Sequence, residues 1–118
     1  MGTFSVSLQV GDLAGQNFID IEALVDTGAT YTVLPSETLD RLGVRPEGHR
    51  TFELGDDRVV EYPIGYARLR FNGDETIGLV VFGPDGTTSL LGATTLENFS
   101  LGVDPVGLKL IPVPALLK

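Results

Sequence analysis

The sequence predicts an all-β protein with one or two short helices, and three observations support that prediction. Apolar and polar residues alternate over 4–10 and 65–71, which is the pattern of a half-buried strand. Turn residues separate such runs at short intervals, as at Asn72-Gly73-Asp74. The two stretches with helical features, 35–43 and 93–99, are each shorter than ten residues. At 118 residues, the chain is expected to form a single domain over 1–118.

The N-terminal part of the chain is predicted to form a hairpin. Phe4–Val10 alternates as described, Gly11–Gln16 has the composition of a turn, and Phe18–Val25 returns as a second strand. The two strands are expected to pair antiparallel. The second strand leads directly into Asp26, so this carboxylate would be carried by a rigid element.

Asp26 lies in a local sequence that is poorly suited to an exposed turn. It ends a run of apolar strand residues and is followed by a hydroxyl residue and a glycine. Ile21–Val25 would bury side chains before it, and Thr32–Leu34 would return to the core after it. Gly28 has no Cβ, so the backbone can approach the carboxylate closely. The pattern therefore predicts a carboxylate delivered to a half-buried site.

The middle of the chain is predicted to contain a helix, a loop and a second hairpin. Pro35–Gly43 has a helix start, apolar residues at helical spacing and a glycine stop, which predict a short surface helix. Residues 44–50 are predicted to form a loop that exposes His49. Phe52–Leu54 and Arg58–Tyr62 then have the composition of two strands joined by a tight turn.

The second half of the chain continues with strands. Pro63 cannot donate a ladder hydrogen bond, so the chain should bend there or lie at a sheet edge. Glu75–Phe82 is apolar enough for a central strand. Leu90–Leu91 is predicted to be a short strand that leads into a helix over Ala93–Phe99. Closing strands are expected near the C-terminus, the last of them over Leu108–Val113.

Composition excludes several classes of function. Sixteen acidic residues against eight basic ones give a formal charge of −8, which argues against binding nucleic acid or an anionic membrane. The chain has no cysteine, and its single histidine, His49, has no Gly-x-Ser-x-Gly elbow with which to build a serine triad. No cofactor or metal is expected, because Asp56 and Asp57 lack further ligands at the spacing of a calcium loop. Without a signal peptide or transmembrane segment, the protein is expected to be cytoplasmic, or to be an excised domain of a longer chain.

Two motifs, in this order along the chain, resemble those of the retropepsin-like aspartic proteases, the single-lobed group that includes the retroviral enzymes. The first is Asp26-Thr27-Gly28-Ala29, which is similar to their active-site signature. The second is Leu90-Leu91-Gly92, which in that family leads into a short helix and supports the catalytic loop from behind. The resemblance covers about 4–113 and implies a closed acid-protease-type barrel with one lobe per chain. It also implies that the hairpin over about 52–62 is a flap that closes over bound peptide, with Gly55-Asp56-Asp57 at its tip.

The resemblance further implies a homodimeric aspartic endopeptidase. Peptide hydrolysis without a metal needs a base that activates water and an acid that protonates the substrate, and two close carboxylates that share one proton can do both. The chain has one Asp-Thr-Gly motif, so the second carboxylate is expected from Asp26 of a second copy, across a two-fold axis. Thr27 would bond across this axis and the Gly28 amide would orient the carboxylate. An extended segment of a peptide or protein substrate would lie beneath the two hairpins.

Two alternatives remain open at this stage. The first is a catalytically silent retropepsin-like homodimer that binds a peptide or a partner protein. The intact motif favours the enzyme, because binding alone has no chemical need for Asp26. The second is an unrelated small β-barrel module in which Asp26 has a structural role. Retroviral members carry an aspartate directly after Asp-Thr-Gly-Ala, whereas this chain has Thr30, so their cleavage preference is not carried over.

Overall fold

The computed structural model describes residues 3–115 and 117. Over these residues the chain forms nine strands and two six-residue helices, which confirms the predicted all-β class with two short helices. The strands are β1 (Ser5–Gly11), β2 (Phe18–Val25), β3 (Thr32–Pro35), β4 (Gly48–Glu53), β5 (Val59–Phe71), β6 (Asp74–Gly83), β7 (Leu90–Leu91), β8 (Leu101–Asp104) and β9 (Lys109–Pro112). The helices are α1 (Ser36–Arg41) and α2 (Ala93–Asn98).

Seven of the strands form one sheet in the order β1-β2-β7-β3-β6-β5-β4. β1 also pairs antiparallel with β5, from Gln9 opposite Arg70 to Gly11 opposite Arg68. This extra pairing closes β1, β2, β7, β3, β6 and β5 into a ring and leaves β4 attached outside it, alongside β5. β8 and β9 form a separate two-stranded antiparallel sheet. The closed ring agrees with the predicted barrel.

The predicted N-terminal hairpin is confirmed, and it leads from the core to the candidate site. β1 and β2 pair antiparallel from Ser5 opposite Leu24 to Gly11 opposite Phe18. Val25, the last residue of β2, is buried, so Asp26 directly follows a core residue. The buried core contains mainly aliphatic side chains from the ring and the two helices, among them Leu8, Val10, Ala23, Leu34, Leu39, Leu69, Val80, Leu91 and Leu96.

The second hairpin begins earlier than predicted. β4 starts at Gly48, four residues before the expected strand at Phe52, so the prediction of a loop over 44–50 is wrong for its last three residues. His49 is therefore exposed on a strand rather than in a loop. The alternation of polar and apolar residues failed to reveal this strand because β4 lies outside the ring and most of its side chains are exposed. Pairing with β5, rather than burial, defines the strand.

Pro63 neither ends nor divides the long strand β5, which runs unbroken from Val59 to Phe71. Residues before Ile64 pair with β4 alone, and the pairing with β6 begins at Ile64 opposite Val81. Pro63 therefore lies where β5 pairs with a strand on one side only. On the opposite side there is no partner strand, so the missing N–H of Pro63 loses no ladder hydrogen bond there. This is the edge position that the sequence predicted as one option for Pro63.

Both predicted helices are present, with slightly shorter bounds. α1 ends at Arg41, and Gly43 follows with a φ of 77°, the left-handed conformation that makes glycine an effective helix stop. Leu39 and Leu42, the apolar residues of this segment, are both buried. α2 ends at Asn98, one residue before the predicted end. Among the described residues, no helix has the length and apolar character that crossing a membrane would require.

Candidate active site

Asp26 opens a tight loop between β2 and β3, and three backbone groups hold it there. Its own N–H donates to the carbonyl oxygen of Leu91 at 3.0 Å, and its carbonyl oxygen accepts from Ala29 N–H at 3.2 Å. Its Oδ1 accepts a hydrogen bond from Gly28 N–H at 2.9 Å. The carboxylate is half-buried, and no described residue donates a hydrogen bond to its second oxygen. One oxygen is thus fixed by the backbone while the other is free to engage water or a second acid.

The residues next to Asp26 differ in their surroundings. Thr27 and Gly28 are exposed at the surface of the loop, whereas Ala29 is half-buried. Within the part of the chain that the structure describes, the Thr27 hydroxyl makes no hydrogen bond. A Cβ on Gly28 would lie 3.2 Å from Asp26 Oδ1, which is tighter than an ordinary contact. Glycine at this position therefore lets the amide approach the carboxylate.

Leu90 and Leu91 lie between the two strands that flank the Asp26 loop. β7, formed by these two residues, pairs parallel with the end of β2 and antiparallel with β3 at Val33. Immediately after it, Ala93 N–H donates to the Ala29 carbonyl at 2.8 Å. Thr94 N–H donates to the Thr30 carbonyl at 3.0 Å. The strand therefore joins both ends of the loop, and the start of α2 binds its middle.

Gly92 joins β7 to α2 at a point of very close approach to the loop. A Cβ on this residue would lie 2.5 Å from both the carbonyl carbon and the oxygen of Tyr31, and 2.9 Å from the backbone nitrogen of Thr32. Side-chain carbons do not approach backbone atoms so closely, so only glycine fits here without movement of the backbone.

A buried pair of hydroxyl groups, which the sequence alone does not reveal, lies beside Gly92. Thr32 Oγ1 accepts a hydrogen bond from Gly92 N–H at 3.1 Å and is 2.6 Å from Thr95 Oγ1. Thr32 is fully buried and Thr95 is 1% exposed. The pair connects the end of the Asp26 loop to α2. Thr32 was expected only as a strand residue and Thr95 only as a helix residue, since nothing in the sequence shows that the two face each other across 63 positions.

A groove of about 790 Å³ lies between the Asp26 loop and the β4–β5 hairpin. Tyr31 from the loop packs edge-to-face on Phe52 of β4, with ring centroids 6.2 Å apart. Phe52 in turn lies 6.0 Å from the ring of Tyr62 on β5. The residues that line the groove come from four parts of the fold, namely Gly28, Ala29, Thr30, Tyr31, Val33, Arg50, Thr51, Phe52, Glu53, Leu54, Tyr62, Val81, Gly83, Pro84, Thr87 and Leu90. The rings of Tyr31, Phe52 and Tyr62 thus form an aromatic wall along the groove.

The turn of this hairpin contains the three predicted tip residues, but they do not line the groove. Gly55, Asp56 and Asp57 are exposed, and Leu54 is the residue at this end that does line it. The carboxylate of Asp56 accepts from the Arg58 N–H and forms an ion pair with the Arg58 guanidinium at 2.6 Å. Asp57 adopts a left-handed φ of 66°, so an aspartate rather than Gly55 occupies the left-handed position of the turn.

Among the described residues, no three His, Cys, Asp or Glu side chains lie close enough together to hold a metal ion. The polar groups of the Asp26-Thr27-Gly28 segment are the Asp26 carboxylate, the backbone amides and the Thr27 hydroxyl group.

The overall fold is that of a retroviral protease. The chain is similar to the EIAV protease in complex with the inhibitor HBY-793, with 22% identity, a TM-score of 0.60 and 93% of each chain covered. It is also similar to the protease of Simian Foamy Virus (mac), with 18% identity and a TM-score of 0.53, covering 78% of this chain and 92% of that one. A foamy viral protease-reverse transcriptase in complex with an RNA/DNA hybrid matches 96% of this chain but only 13% of its own, at 15% identity and a TM-score of 0.57.

The family follows from the sequence match. The model of the gag-polyprotein putative aspartyl proteases matches residues 11–98, a span that includes both Asp26 and Gly92. The chain therefore belongs to this family, and the predicted resemblance to retropepsin-like aspartic proteases is confirmed. A comparison with curated protein sequences finds no significant match.

Proposed function

We propose that the protein is a homodimeric aspartic endopeptidase that hydrolyses peptide bonds between two Asp26 carboxylates. The observation that carries this proposal is the half-buried carboxylate at the end of β2, with one oxygen held by Gly28 N–H and the other free. Gly28, Ala29, Thr30 and Tyr31 of the same loop line a groove of about 790 Å³, a volume within the range of ligand sites. Membership of the aspartyl protease family supports a peptidase.

The reaction requires two carboxylates in different protonation states. The ionised one takes a proton from water, while the protonated one gives its proton to the carbonyl oxygen of the scissile bond. Two carboxylates in close contact acquire these states together, because repulsion between like charges disfavours ionisation of both. In the later step, the acid and base exchange roles as the leaving nitrogen is protonated.

A second copy of the chain would supply the second carboxylate. Each chain has one Asp-Thr-Gly motif, and an isologous contact would bring the same residue of both copies to one axis. The exposed loop surface of Thr27 and Gly28 is available for this contact. The Thr27 hydroxyl, which has no partner among the described residues, would bond across the axis. The C-terminal hairpin β8–β9 lies outside the ring and would contribute to the same interface.

The substrate would be an extended segment of a peptide or protein. Such a segment would lie in the groove beneath the β4–β5 hairpin, which would act as the flap, and its backbone would pair with protein backbone as an added strand. The aromatic wall of the groove gives it an apolar surface against which substrate side chains can pack.

Substitution of the carboxylate by an amide of the same shape tests this function. We expect Asp26→Asn to remain folded and dimeric and to lose at least about 10²-fold in cleavage of an unfolded protein between acidic and neutral pH, since the amide cannot exchange the proton. Asp20→Asn, at an exposed position of the strand β2 that precedes Asp26, is the matched control and should retain activity. Oligomeric state is measured at the assay concentration for all three proteins.

The outcomes separate the enzyme from its alternatives. Cleavage by a strict monomer, or equal cleavage by wild type and Asp26→Asn, would contradict the shared dyad. A folded wild-type dimer that cleaves nothing at any pH, but binds peptide, would identify the silent peptide-binding homodimer instead. Activity that disappears on dilution below the dissociation constant of the dimer would support the dimeric site.

A further inference from the structure

Arg50 places a positive charge in the groove of a strongly acidic chain. It is the only basic residue, and Glu53 the only acidic one, among the described residues that line the groove. The whole chain carries a formal charge of −8. A single cation on the groove wall therefore opposes the general charge of the molecule and acts over a short range, since exposed charges are screened beyond about 10 Å.

Strand pairing places Arg50 on the same face of the hairpin as the aromatic residues. Arg50 lies opposite Tyr62 in the β4–β5 register, and Phe52 follows two positions later on β4. Side chains two positions apart on a strand point to the same side, whereas Glu53 alternates to the other. Arg50 Cζ lies 5.9 Å from the centroid of the Tyr31 ring, within the range of a cation–π contact. The guanidinium is thus directed towards the Asp26 loop.

The guanidinium of Arg50 has hydrogen-bond donors that are not used by any described residue. Three other arginines, at positions 58, 68 and 70, form ion pairs at 2.6–2.8 Å with Asp56 or Glu75. Within the residues that the structure describes, Arg50 makes no ion pair and no side-chain hydrogen bond. A guanidinium presents five donors in a planar fork that matches a carboxylate. The free fork therefore faces the groove without a carboxylate partner among the described residues.

We propose that Arg50 is a specificity-determining residue that binds an acidic side chain of the peptide substrate. Arg50 and Phe52 are two positions apart on β4 and point to the same side. In an extended peptide alongside β4, two side chains that are also two positions apart would therefore lie opposite Arg50 and Phe52. The preferred segment therefore carries Asp or Glu two residues from a large apolar side chain, which packs on the aromatic wall of Tyr31 and Phe52. This inference rests on the proposed function for the location of the peptide.

Charge reversal on both sides of the contact tests the inference. One peptide that the wild type cleaves is made in three forms, with Glu, Gln or Lys two positions from its large apolar residue, and kcat/KM is measured for each. We expect the wild type to prefer Glu over Gln by about tenfold, the ratio for one charge-assisted hydrogen bond. Arg50→Glu should reverse the order and prefer Lys. Salt should reduce both preferences.

Arg45→Glu is the matched control for the effect of the protein's net charge on the peptides. It makes the same change in net charge on an exposed side chain that lies outside the groove. We expect it to keep the wild-type order of the three peptides. Thermal melting of both variants verifies that they fold, which is expected because both arginines are exposed.

Two results would overturn the inference. One is a wild type that cleaves the three peptides equally, and the other is an identical effect of Arg50→Glu and Arg45→Glu. If the wild type cleaves nothing, the proposed function fails. The charge preference is then measured on Asp26→Asn as the Kd of three fluorescent peptides that carry Glu, Gln or Lys two positions from a large apolar residue, and equal binding of all three would overturn the role of Arg50 by itself.

Discussion

Replacement of Gly92 by alanine should damage the Asp26 loop through the backbone alone. The new Cβ would lie 2.5 Å from the carbonyl group of Tyr31, about 0.9 Å short of an ordinary contact at 3.4 Å. The loop or the start of α2 must move by that distance. A shift of about 0.9 Å would stretch the bond from Ala93 N–H to the Ala29 carbonyl from 2.8 to about 3.7 Å, beyond hydrogen-bond range. The bond from Thr94 to Thr30 would be lost in the same way.

The expected cost follows from these changes. Two lost backbone bonds cost about 1 kcal/mol each, and residual crowding in a packed region adds to this, so we expect the free energy of unfolding to fall by about 2–4 kcal/mol. The fraction that remains folded should also lose activity, because the same bonds fix the loop that carries Asp26. Urea denaturation measures the first effect, and kcat of the folded protein measures the second.

Gly48→Ala provides the control for this substitution. Its Cβ would meet Ile64 at 3.7 Å, which is an ordinary contact, so its free energy of unfolding should change by no more than about 0.5 kcal/mol. If Gly92→Ala were as stable and as active as Gly48→Ala, the loop would tolerate displacement, and the argument that its position depends on the close approach of Gly92 would be refuted.

Two further predictions concern the buried hydroxyl pair and the response to acid. Thr95→Val keeps the shape of the side chain but leaves the Thr32 hydroxyl without its buried partner, so the free energy of unfolding should fall by about 1–3 kcal/mol. Thr95→Ser, which keeps a hydroxyl group, should recover part of the lost stability. Equal stability of Thr95→Val and wild type would contradict this prediction. Hydrogen bonds from Arg70 and Arg68 hold the pKa of Glu75 below its usual value of 4.5. These bonds therefore contribute to stability above pH 4.5, and this contribution is lost as the pH falls through the lowered pKa. Glu75→Gln should therefore show a weaker loss of stability in that acidic range, and parallel pH profiles of unfolding for the two proteins would count against the pairing.

The sequence predicted those features of the fold that local chemistry specifies. Asp26 was identifiable because an aspartate directly after an apolar strand, followed by a hydroxyl residue and a glycine, is an unusual choice with direct backbone consequences, whereas Gly92 was identified through the resemblance of Leu90-Leu91-Gly92 to the family motif. The start of β4 was missed because an outer strand with mostly exposed residues has no alternating pattern. The aromatic wall and Arg50 were missed for a related reason, since the inner face of a hairpin is defined by the register between its strands. The Thr32–Thr95 pair required the complete tertiary fold.

The hydrogen bonds around the Asp26 loop have a consequence for how activity would respond to protein concentration. Hydrogen bonds from Gly28, Ala93 and Thr94 of the same chain hold the loop in place. Each monomer therefore carries a preassembled half of the proposed site. The loop is ordered during folding, so dimer formation does not include the entropic cost of ordering it. Association then only has to align two rigid halves. Under the proposed dimeric site, activity lost on dilution should therefore recover on concentration without a slow refolding phase.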